Sequence, residues 1–348
     1  PARDVKGGAM RIATYNVEWF VGLFDARGRM LEDHHRSARH NVTRAEQLHA
    51  LGAVFRAMDA DGVMVIEAPD TNHRRNTVAM LEVFAKRFHL RTRAALMGFA
   101  NETQQEIAFL YDPDVMTARH DPKGDHDGAL APRFNGTHRI DLDVDGRVDT
   151  IRFNKPPLEL AVELRGGKAL RVIGCHLKSK APRGVESPGE ERRLGIAARR
   201  EQLAQCLWLR ARVLEHLAAG DSLVVLGDLN DGPGLDEYEK LFGRSGVEIV
   251  VGWDEPHSTR LFDPHARLAL GQRLAAAPTT ARFYLPEKER YLTALLDYVM
   301  VSPDLRARKP KWRIWHPFDD PGCFDAPDLR DALLTASDHF PVSVDLPI

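Results

Sequence analysis

Five segments of the chain place polar side chains directly beside short apolar runs. They are Arg-Ile-Ala-Thr-Tyr-Asn16-Val-Glu-Trp-Phe, Val-Met-Val-Ile-Glu67, Val-Ile-Gly-Cys-His176-Leu-Lys178-Ser, Leu-Val-Val-Leu-Gly-Asp228-Leu-Asn230-Asp-Gly-Pro and Ala-Ser-Asp338-His339-Phe-Pro-Val-Ser-Val. Such apolar runs are typical of buried strands. Carboxylates, amides, imidazoles and amines can bind phosphate, activate water or hold a hard cation. The pattern predicts one catalytic surface, assembled from distant strands, with the chemistry of a phosphoester hydrolase.

Asp228 and Asn230 stand two residues apart at the end of an apolar run. In an extended strand, residues two apart point to the same side, so a carboxylate and an amide are predicted to face one substrate. The carboxylate can orient or deprotonate water, and the amide can donate to a phosphate oxygen as charge builds up. Taken alone, the segment is more typical of an Asx turn that closes a strand.

Glu67 ends a short apolar run and is followed by Ala-Pro, which predicts that it lies at the exit of a strand. A carboxylate in this place is a hard oxygen ligand suited to Mg²⁺. Asn16 has a similar placement, and its amide can accept the ion or its water, or donate to phosphate. Taken singly, Glu67 is equally well explained as a solvated carboxylate.

Two histidines lie at the mouths of predicted strands. His176 is followed by Leu-Lys178, so an imidazole and an amine could together grip phosphate, although a lone histidine is more often a hydrogen-bonded edge residue. Asp297 lies in the apolar run Leu-Leu-Asp-Tyr-Val-Met-Val-Ser, where a buried carboxylate needs a partner. If Asp297 accepts the proton of one ring nitrogen of His339, the other nitrogen faces the substrate. A structural salt bridge is the alternative.

As an ordered set, these segments resemble the motifs of the endonuclease/exonuclease/phosphatase superfamily, to which deoxyribonuclease I belongs. The matching segments are Tyr-Asn16-Val-Glu-Trp, Ile-Glu67-Ala-Pro, His176-Leu-Lys-Ser-Lys, Gly-Asp228-Leu-Asn230-Asp, Leu-Asp297-Tyr-Val-Met-Val-Ser and Ser-Asp338-His339-Phe-Pro-Val. The resemblance implies a four-layered α/β sandwich of two packed, mainly antiparallel sheets flanked by helices. It also implies cleavage of a phosphoester by an activated water that depends on Mg²⁺ (or Mn²⁺), without a covalent intermediate.

The resemblance also implies a role for each matching residue. Glu67 would be the principal metal ligand, with Asn16 and Asp338 near the same ion or a second one. The implied catalytic residues are His176, Asp228, Asn230, Asp297 and His339.

Within that catalytic set, Asp228 and Asn230 would position the attacking water and the phosphate. His339, oriented by Asp297, would contact the phosphate together with His176. Either Asp228 or His339 could be the general base, and the sequence leaves both open.

Four further residues are candidates for contact with the substrate, namely Lys178, Arg74, Arg75 and Glu106. The lysine and the two arginines lie close in the chain to the motifs of His176 and Glu67. Glu106 stands, by the same resemblance, where some family nucleases have an acid that pairs with the first histidine. Since charge runs are usually solvated faces, only part of the basic groups is expected to touch substrate.

Composition limits the substrate without deciding it. The 348 residues carry a formal net charge of -2, so any binding of a polyanion must come from local basic patches. Aromatic residues make up 7% of the chain, which gives little support for an extended single-strand surface. A nuclease is the first interpretation. A phosphodiesterase or phosphatase acting on a small-molecule, sugar or lipid phosphoester is the alternative, and a catalytically silent binding scaffold is a remote one.

The chain is interpreted as an N-terminal extension of residues 1–9 and a single domain of residues 10–348. Its three cysteines have no C-x-x-C spacing, which favours a reducing compartment and a cytoplasmic location. No apolar run is long enough to predict a membrane span. Because residue 1 is Pro, a removed leader is compatible with the sequence.

Apolar periodicity predicts the secondary structure that must carry these residues. The predicted strands are Met10–Val17, Val63–Ile66, Ile107–Tyr111, Thr137–Val144, Asp149–Phe153, Leu158–Leu164, Ala169–His176, Ser222–Leu226, Arg282–Leu285, Leu296–Ser302 and Phe340–Leu346. Helices are predicted from Asn41 or Thr43 as N-cap to about Met58, over Thr77–Phe88 and over Glu190–Ala218. Asp145-Gly146 is predicted as a hairpin turn, and Asp112–Phe134 and Gly252–Thr280 as rim loops or insertions.

Overall fold

The computed structural model describes residues 9–124, 131–140, 148–180, 187–234, 239–271, 277–286 and 289–348. The first main sheet has the strand order β14-β15-β1-β2-β4-β3, and the second has the order β13-β10-β9-β8-β5. The strands are β1 (Met10–Asn16), β2 (Gly62–Ala68), β3 (Ala94–Met97), β4 (Glu106–Tyr111), β5 (Met116–His120), β6 (His138–Ile140), β7 (Asp149–Ile151), β8 (Leu158–Leu164), β9 (Ala169–His176), β10 (Leu223–Asp228), β11 (Ala281–Leu285), β12 (Arg290–Ala294), β13 (Asp297–Val301), β14 (Lys311–Ile314) and β15 (Val342–Leu346).

Helices cover the outer face of both sheets. They are α1 (Arg44–Met58), α2 (Thr77–Arg87), α3 (Pro188–Ala218), α4 (Glu239–Phe242), α5 (Gly246–Val251), α6 (Pro264–Gly271), α7 (Pro303–Ala307), α8 (Pro321–Phe324) and α9 (Pro327–Ala336), with a 3₁₀ helix at Phe20–Leu23. Helix α1 begins after Thr43, whose hydroxyl and Glu46 form a capping box. Within the described part of the chain, every helix is too short or too polar to cross a lipid bilayer.

Each main sheet contains one parallel pair of strands among antiparallel ones. In the first sheet β1 runs parallel to β2, and in the second β9 runs parallel to β10. The predicted mainly antiparallel sheets are therefore confirmed. Because parallel strands end at the same edge, each pair delivers two carboxyl ends to one place, and these ends carry the residues singled out by the sequence.

The side chains of the two sheets alternate between two apolar cores, which gives the four predicted layers. Ile12 of β1 and Leu226 of β10 belong to the core between the sheets. Tyr15 of β1 packs with α1 on the outer face of the first sheet, and Val225 of β10 packs with α3 on the outer face of the second. The four-layered α/β sandwich is thus confirmed.

The sheets approach closely where Gly174 of β9 lies against Met64 of β2. A Cβ atom placed on Gly174 would lie 2.3 Å from Met64 Sδ, well inside van der Waals contact. Met64 is fully buried and belongs to the core between the sheets. A side chain at this position would therefore require the buried Met64 side chain to move.

Several predicted bounds differ from the structure for identifiable reasons. The stretch Asp112–Phe134, predicted as a loop, contains β5, an edge strand that pairs only with β8 in its sheet and has little apolar signal. The stretch Gly252–Thr280 contains α6. Strand β15 begins at Val342 and not at Phe340, because Pro341 has no N–H to donate to a ladder. The predicted turn at Asp145-Gly146 and the N-terminal extension up to residue 8 lie outside the described residues.

Candidate active site

The carboxyl ends of the two parallel pairs meet at one edge of the sandwich. Asn16 ends β1 and is paired with Ile66, the neighbour of Glu67 on β2. In the other sheet Asp228 ends β10 and is paired with His176 on one side and with Asp297 on the other. Residues from five distant parts of the sequence are therefore brought together by strand register.

The amide of Asn16 connects the two sheets. Its Nδ2 donates to Asp228 Oδ2 over 3.1 Å and lies 3.4 Å from Glu67 Oε1. Its Oδ1 accepts the backbone N–H of Glu18 at 3.1 Å. The nitrogen of the amide, and not its oxygen, is thus directed at both carboxylates.

Backbone strain concentrates around these residues. Glu18, Trp19, Glu67 and Asn230 have φ angles of 50°, 56°, 63° and 49°, in the left-handed region that non-glycine residues rarely adopt. Glu67 also lies at a register shift between Ile66 and Ala68. The Trp19 N–H donates to Glu67 Oε2 at 2.8 Å and so holds this conformation. Strain of this kind is kept where the surroundings fix an unusual geometry.

His339 is paired with Asp297. The ring Nδ1 lies 2.7 Å from Asp297 Oδ2, and the Nε2 lies 3.9 Å from Asp228 Oδ2. Burial disfavours the imidazolium, yet the carboxylates of Asp297 and Asp228 outweigh it and hold the pKa of His339 well above its ordinary value. The two carboxylates therefore favour the protonated form of His339, in which both ring nitrogens are donors.

His176 has the opposite tendency. Burial, reinforced by the ammonium of Lys155, lowers the pKa of His176 well below its ordinary value. The Lys155 Nζ lies 2.9 Å from His176 Nε2, and an ammonium can only donate, so this nitrogen accepts. The same Nε2 is 3.7 Å from Asp228 Oδ2. One buried carboxylate thus lies between an imidazole whose charged form is disfavoured and one whose charged form is favoured.

Lys155 was not among the residues predicted from sequence. It lies in Asn-Lys-Pro-Pro just before β8, and the antiparallel pairing of Leu158 with Gly174 carries this segment alongside His176. A lysine immediately upstream of the strand that pairs with the histidine strand was the signal that could have revealed it.

Asp228 and Asn230 lie together, but not through strand alternation. Strand β10 ends at Asp228, and the N–H of Asn230 donates to Asp228 Oδ1 at 2.7 Å, which is an Asx turn. The side-chain Nδ2 of Asn230 donates to the carbonyl of Leu177 at 3.0 Å. Burial raises the pKa of Asp228 to about 6, against the opposing effect of His339. The turn and the polar cluster therefore coexist in one segment.

Asp338 directly precedes His339 in the chain and lies at the same edge of the sandwich. Burial, followed by the nearby Glu18 carboxylate, raises the pKa of Asp338 to about 7. The Glu18 Oε2 accepts the backbone N–H of Asp338 at 2.8 Å and pairs with Arg39 Nη1 at 3.0 Å. Glu18 and Arg39, both missed by the sequence reasoning, fix the backbone that carries Asp338 and His339.

The donor groups present suit a hard cation. Oxygen ligands are supplied by carboxylates, and the described contacts of Glu67 Oε1 comprise only the 3.4 Å approach of Asn16, which leaves lone pairs available. A buried trio of Asp228, Asp297 and His339 also has ligand atoms within 4.8 Å of one another and could hold a metal. The edge of the sandwich thus offers two candidate positions for a cation, one at Glu67 and one at the trio.

Two of the residues predicted to contact substrate are held by other groups. Glu106 is fully buried, and Asn101 Nδ2 donates to its carboxylate at 2.7 Å, while no hydrogen bond or ion pair of the described residues joins it to His176. Burial raises the pKa of Glu106 to about 7. Arg75 pairs with Asp70 at 2.7 Å.

The remaining two are accessible. Arg74 is exposed, although the described contacts do not bring it to the cluster around Asp228. Lys178 pairs with Glu201 at 3.2 Å and lines, together with Lys155 and His176, a polar cavity of about 310 Å³. The cavity opens directly beside the histidine and is large enough for a phosphate group.

Comparison with protein families shows a match between residues 13–339 and the model of the Endonuclease/Exonuclease/phosphatase family. The chain therefore belongs to this family, as the motifs indicated. Members of the family are phosphoester hydrolases and generally depend on a divalent metal, so the chain is an enzyme of that class. Comparison with curated protein sequences found no match.

Solved structures share the fold. One is ANGEL2, a 2',3'-cyclic phosphatase in complex with adenosine-2',3'-vanadate, with a TM-score of 0.51 and 11% identity over 97% of this chain and 95% of that chain. Another is an endonuclease/exonuclease/phosphatase family protein from Bacteroides thetaiotaomicron, with a TM-score of 0.50 and 13% identity over 97% of this chain and 94% of that chain. At these identities the likeness shows the fold alone.

Proposed function

We propose that the chain is a nuclease that cleaves a phosphodiester by direct attack of water and depends on Mg²⁺ (or Mn²⁺). The observation that carries this proposal is the position of the Asp228 carboxylate. Asn16 Nδ2 donates to it at 3.1 Å, and the Nε2 atoms of His176 and His339 lie 3.7 and 3.9 Å away. Such a carboxylate can receive a proton while the groups around it bind phosphate oxygens.

Asp228 is proposed as the general base and His339 as the donor to phosphate. The pKa of Asp228, raised to about 6 by burial, leaves it ionised at neutral pH yet more basic than an ordinary carboxylate. The pKa of His339 is held well above its usual value, against burial, by Asp297 and Asp228, so its imidazolium can stabilise developing negative charge. Lys155, held in place by its hydrogen bond to the neutral His176, is proposed to donate to a non-bridging oxygen.

The proposed metal ligands are Glu67 and Asp338, with Asn16 adjacent. The trio of Asp228, Asp297 and His339 is less suited to the ion because Asp297 and Asp228 favour the imidazolium form of His339, which has no lone pair to offer a metal. When bound, a divalent cation would neutralise charge on the phosphate oxygens. The protein groups would orient the water, accept its proton at Asp228 and hold the phosphate in line for attack.

A second candidate function is hydrolysis of a small-molecule, sugar or lipid phosphoester. The formal net charge of -2 supplies no broad attraction to a polyanion, which favours a smaller substrate.

The buried free thiols of Cys175, Cys206 and Cys323 support a further proposal, a reducing and cytoplasmic location.

Hydrolysis of bis(p-nitrophenyl) phosphate tests the proposed chemistry. We expect turnover with Mg²⁺ or Mn²⁺ and its loss in EDTA, while metal-independent turnover would contradict the ligand assignment. Rates on plasmid, single-stranded DNA and RNA are then compared with rates on sugar, nucleotide and lipid phosphates. Preference for the second group would favour the alternative function, and inactivity on the whole panel would favour a silent scaffold.

A further inference from the structure

A row of aromatic and basic side chains in contact with one another lies on one face of the ribbon formed by β11 and β12. It consists of Arg282, Tyr284, Tyr291 and His40, and we name it the ribbon ladder. The His40 and Tyr284 rings are stacked with centroids 4.2 Å apart and planes 23° apart. Tyr284 and Tyr291 are 5.2 Å apart, and the Arg282 guanidinium lies 3.4 Å from the centre of the Tyr291 ring.

Strand register explains why these residues share a face. Tyr284 is the cross-strand partner of Tyr291, and Arg282 is two residues from Tyr284 along β11, so their side chains point the same way. Phe283 points to the other face, where its ring meets that of His339 at 5.4 Å. The ribbon therefore has one face toward the active site and one face that carries the ladder.

The ribbon ladder is partly open to solvent, since Arg282 and Tyr284 are half-buried, and its cation is not paired with any described carboxylate. Tyr291 is 43% exposed, and His40 is exposed as well. In the part of the chain that the structure describes, no hydrogen bond or ion pair joins the Arg282 guanidinium to a carboxylate. A purely structural clamp would need neither the exposed rings nor an unneutralised cation.

Both halves of the ladder are tied to the backbone of Asp338. On the ribbon side, the N–H of Arg282 donates to the Asp338 carbonyl at 2.7 Å. On the side of His40, the adjacent Arg39 pairs with Glu18, whose carboxylate accepts the N–H of Asp338 at 2.8 Å. A molecule bound on the ladder is therefore held at a fixed position relative to the neighbouring His339.

We infer that the ribbon ladder binds a single-stranded part of the nucleic-acid substrate, on the face of the ribbon that points away from His339. Bases stack on aromatic rings without regard to sequence, and the interleaved cation meets the phosphates. This pattern fits a polynucleotide better than an acidic peptide, because a peptide supplies charge without a row of planar rings. The inference rests on the proposed function and narrows its substrate to single strands or frayed ends.

Binding is measured with the full chain in EDTA, by fluorescence anisotropy of a labelled oligothymidylate of about 15 nucleotides, a length that covers a typical single-strand site. We expect Tyr291→Ala to weaken the affinity about tenfold, the size of one lost base stack, and Tyr291→Phe to retain it. Since Tyr291 is exposed, the alanine variant should fold, which circular dichroism checks. Arg282→Gln should reduce the salt dependence of binding, whereas Arg282→Lys should keep it.

A matched control exists on another surface of the protein. Phe324 is 48% exposed, and the Arg330 guanidinium lies 5.6 Å from its ring centre, so it is an exposed cation–ring pair outside the site. Phe324→Ala should leave the affinity for the oligonucleotide unchanged. An equal loss in Phe324→Ala and Tyr291→Ala would overturn the inference, as would equal affinities of wild type and Tyr291→Ala.

The measurement separates this inference from the proposed function. Metal-dependent hydrolysis of bis(p-nitrophenyl) phosphate without oligonucleotide binding would leave the hydrolase standing and remove the ladder as a nucleic-acid surface. Tyr291-dependent binding without any hydrolysis would do the reverse. If heparin and the oligonucleotide bind with the same affinity, and Tyr291→Ala changes neither, the protein responds to polyanions in general. That result would also overturn the inference.

Discussion

The pairing of Asp297 with His339 makes Asp297→Asn the most informative single substitution. Asparagine keeps the size of the side chain and removes its charge, so the change acts on the proton of His339 and not on the packing around it. The Oδ2 of Asp297 is 2.7 Å from His339 Nδ1, and Asp297 is the first of the groups that oppose the effect of burial on this histidine.

The expected magnitude follows from that distance. An opposite charge this close to a titrating group shifts its pKa by about 1–3 units, so the pKa of His339 should fall by about that amount in Asp297→Asn. Each unit by which the pKa lies below the pH of the assay leaves about tenfold less imidazolium. Together with the lost orientation of the ring, turnover at neutral pH should fall by about 10²-fold or more.

The assay is the pH dependence of kcat/KM on bis(p-nitrophenyl) phosphate at saturating metal. Activity requires protonated His339, so it is lost as the pH rises through the pKa of that residue. In Asp297→Asn this alkaline limb should move to lower pH, whereas the acid limb, set by Asp228, should remain or move slightly lower because a neighbouring negative charge is gone.

A second Asp–His pair in the chain serves as control. Asp221 Oδ2 is 2.8 Å from His216 Nδ1, and this pair lies at the end of β10 opposite to Asp228. Asp221→Asn should leave both limbs of the profile in place. An alkaline limb that stays at its wild-type position in Asp297→Asn, in a folded protein, would refute the assignment of His339 as the protonated donor.

Three other predictions concern individual residues of the site. Asp228→Asn should lower turnover by at least ~10²-fold and abolish the acid limb near pH 6, the pKa to which burial raises this carboxylate, and near-normal rates in a folded variant would remove it as the base. Glu67→Gln should raise the metal concentration needed for the half-maximal rate, and an unchanged metal titration would exclude Glu67 from the ligands. Lys155→Gln should raise KM about tenfold, the size of one lost charge-assisted contact to phosphate, while Lys240→Gln serves as a surface control and equal KM values in both would count against the phosphate grip.

The sequence predicted the strands that carry the site better than the contacts made there. The bounds of β8 and β9 agree with the predicted ones, because both strands are buried and follow a clear apolar pattern. The pairing of Asp297 with His339 has the geometry expected of a buried carboxylate in need of a partner, while the role of the pair stays a prediction.

Contacts that depend on register between distant strands escaped the sequence reasoning. Glu106 was expected near the first histidine, yet the neighbouring Gln105 accepts from Lys155 at 3.3 Å and Glu106 turns to Asn101. Adjacent residues of an extended chain point to opposite sides, so an error of one position exchanges the two side chains.

The sequence pattern does not predict the ribbon ladder, for a related reason. Its aromatic residues are Tyr284 and Tyr291, which are seven positions apart in the sequence, and His40, which is far from both. They form one surface only because β12, which was not predicted, folds back on β11. A low overall aromatic content therefore says little about local clustering.

The close contact between Gly174 and Met64 connects the core of the sandwich with the active site. Gly174 lies two residues before His176, and the Met64 side chain of the other sheet fills the space beside it. Glu67 and Asp228 belong to opposite halves, and Asn16 links them across the gap. A change in the packing between the sheets would therefore alter this contact. A methyl group added at this glycine would displace Met64 in the core between the sheets, and we expect it to lower activity without changing any reactive side chain.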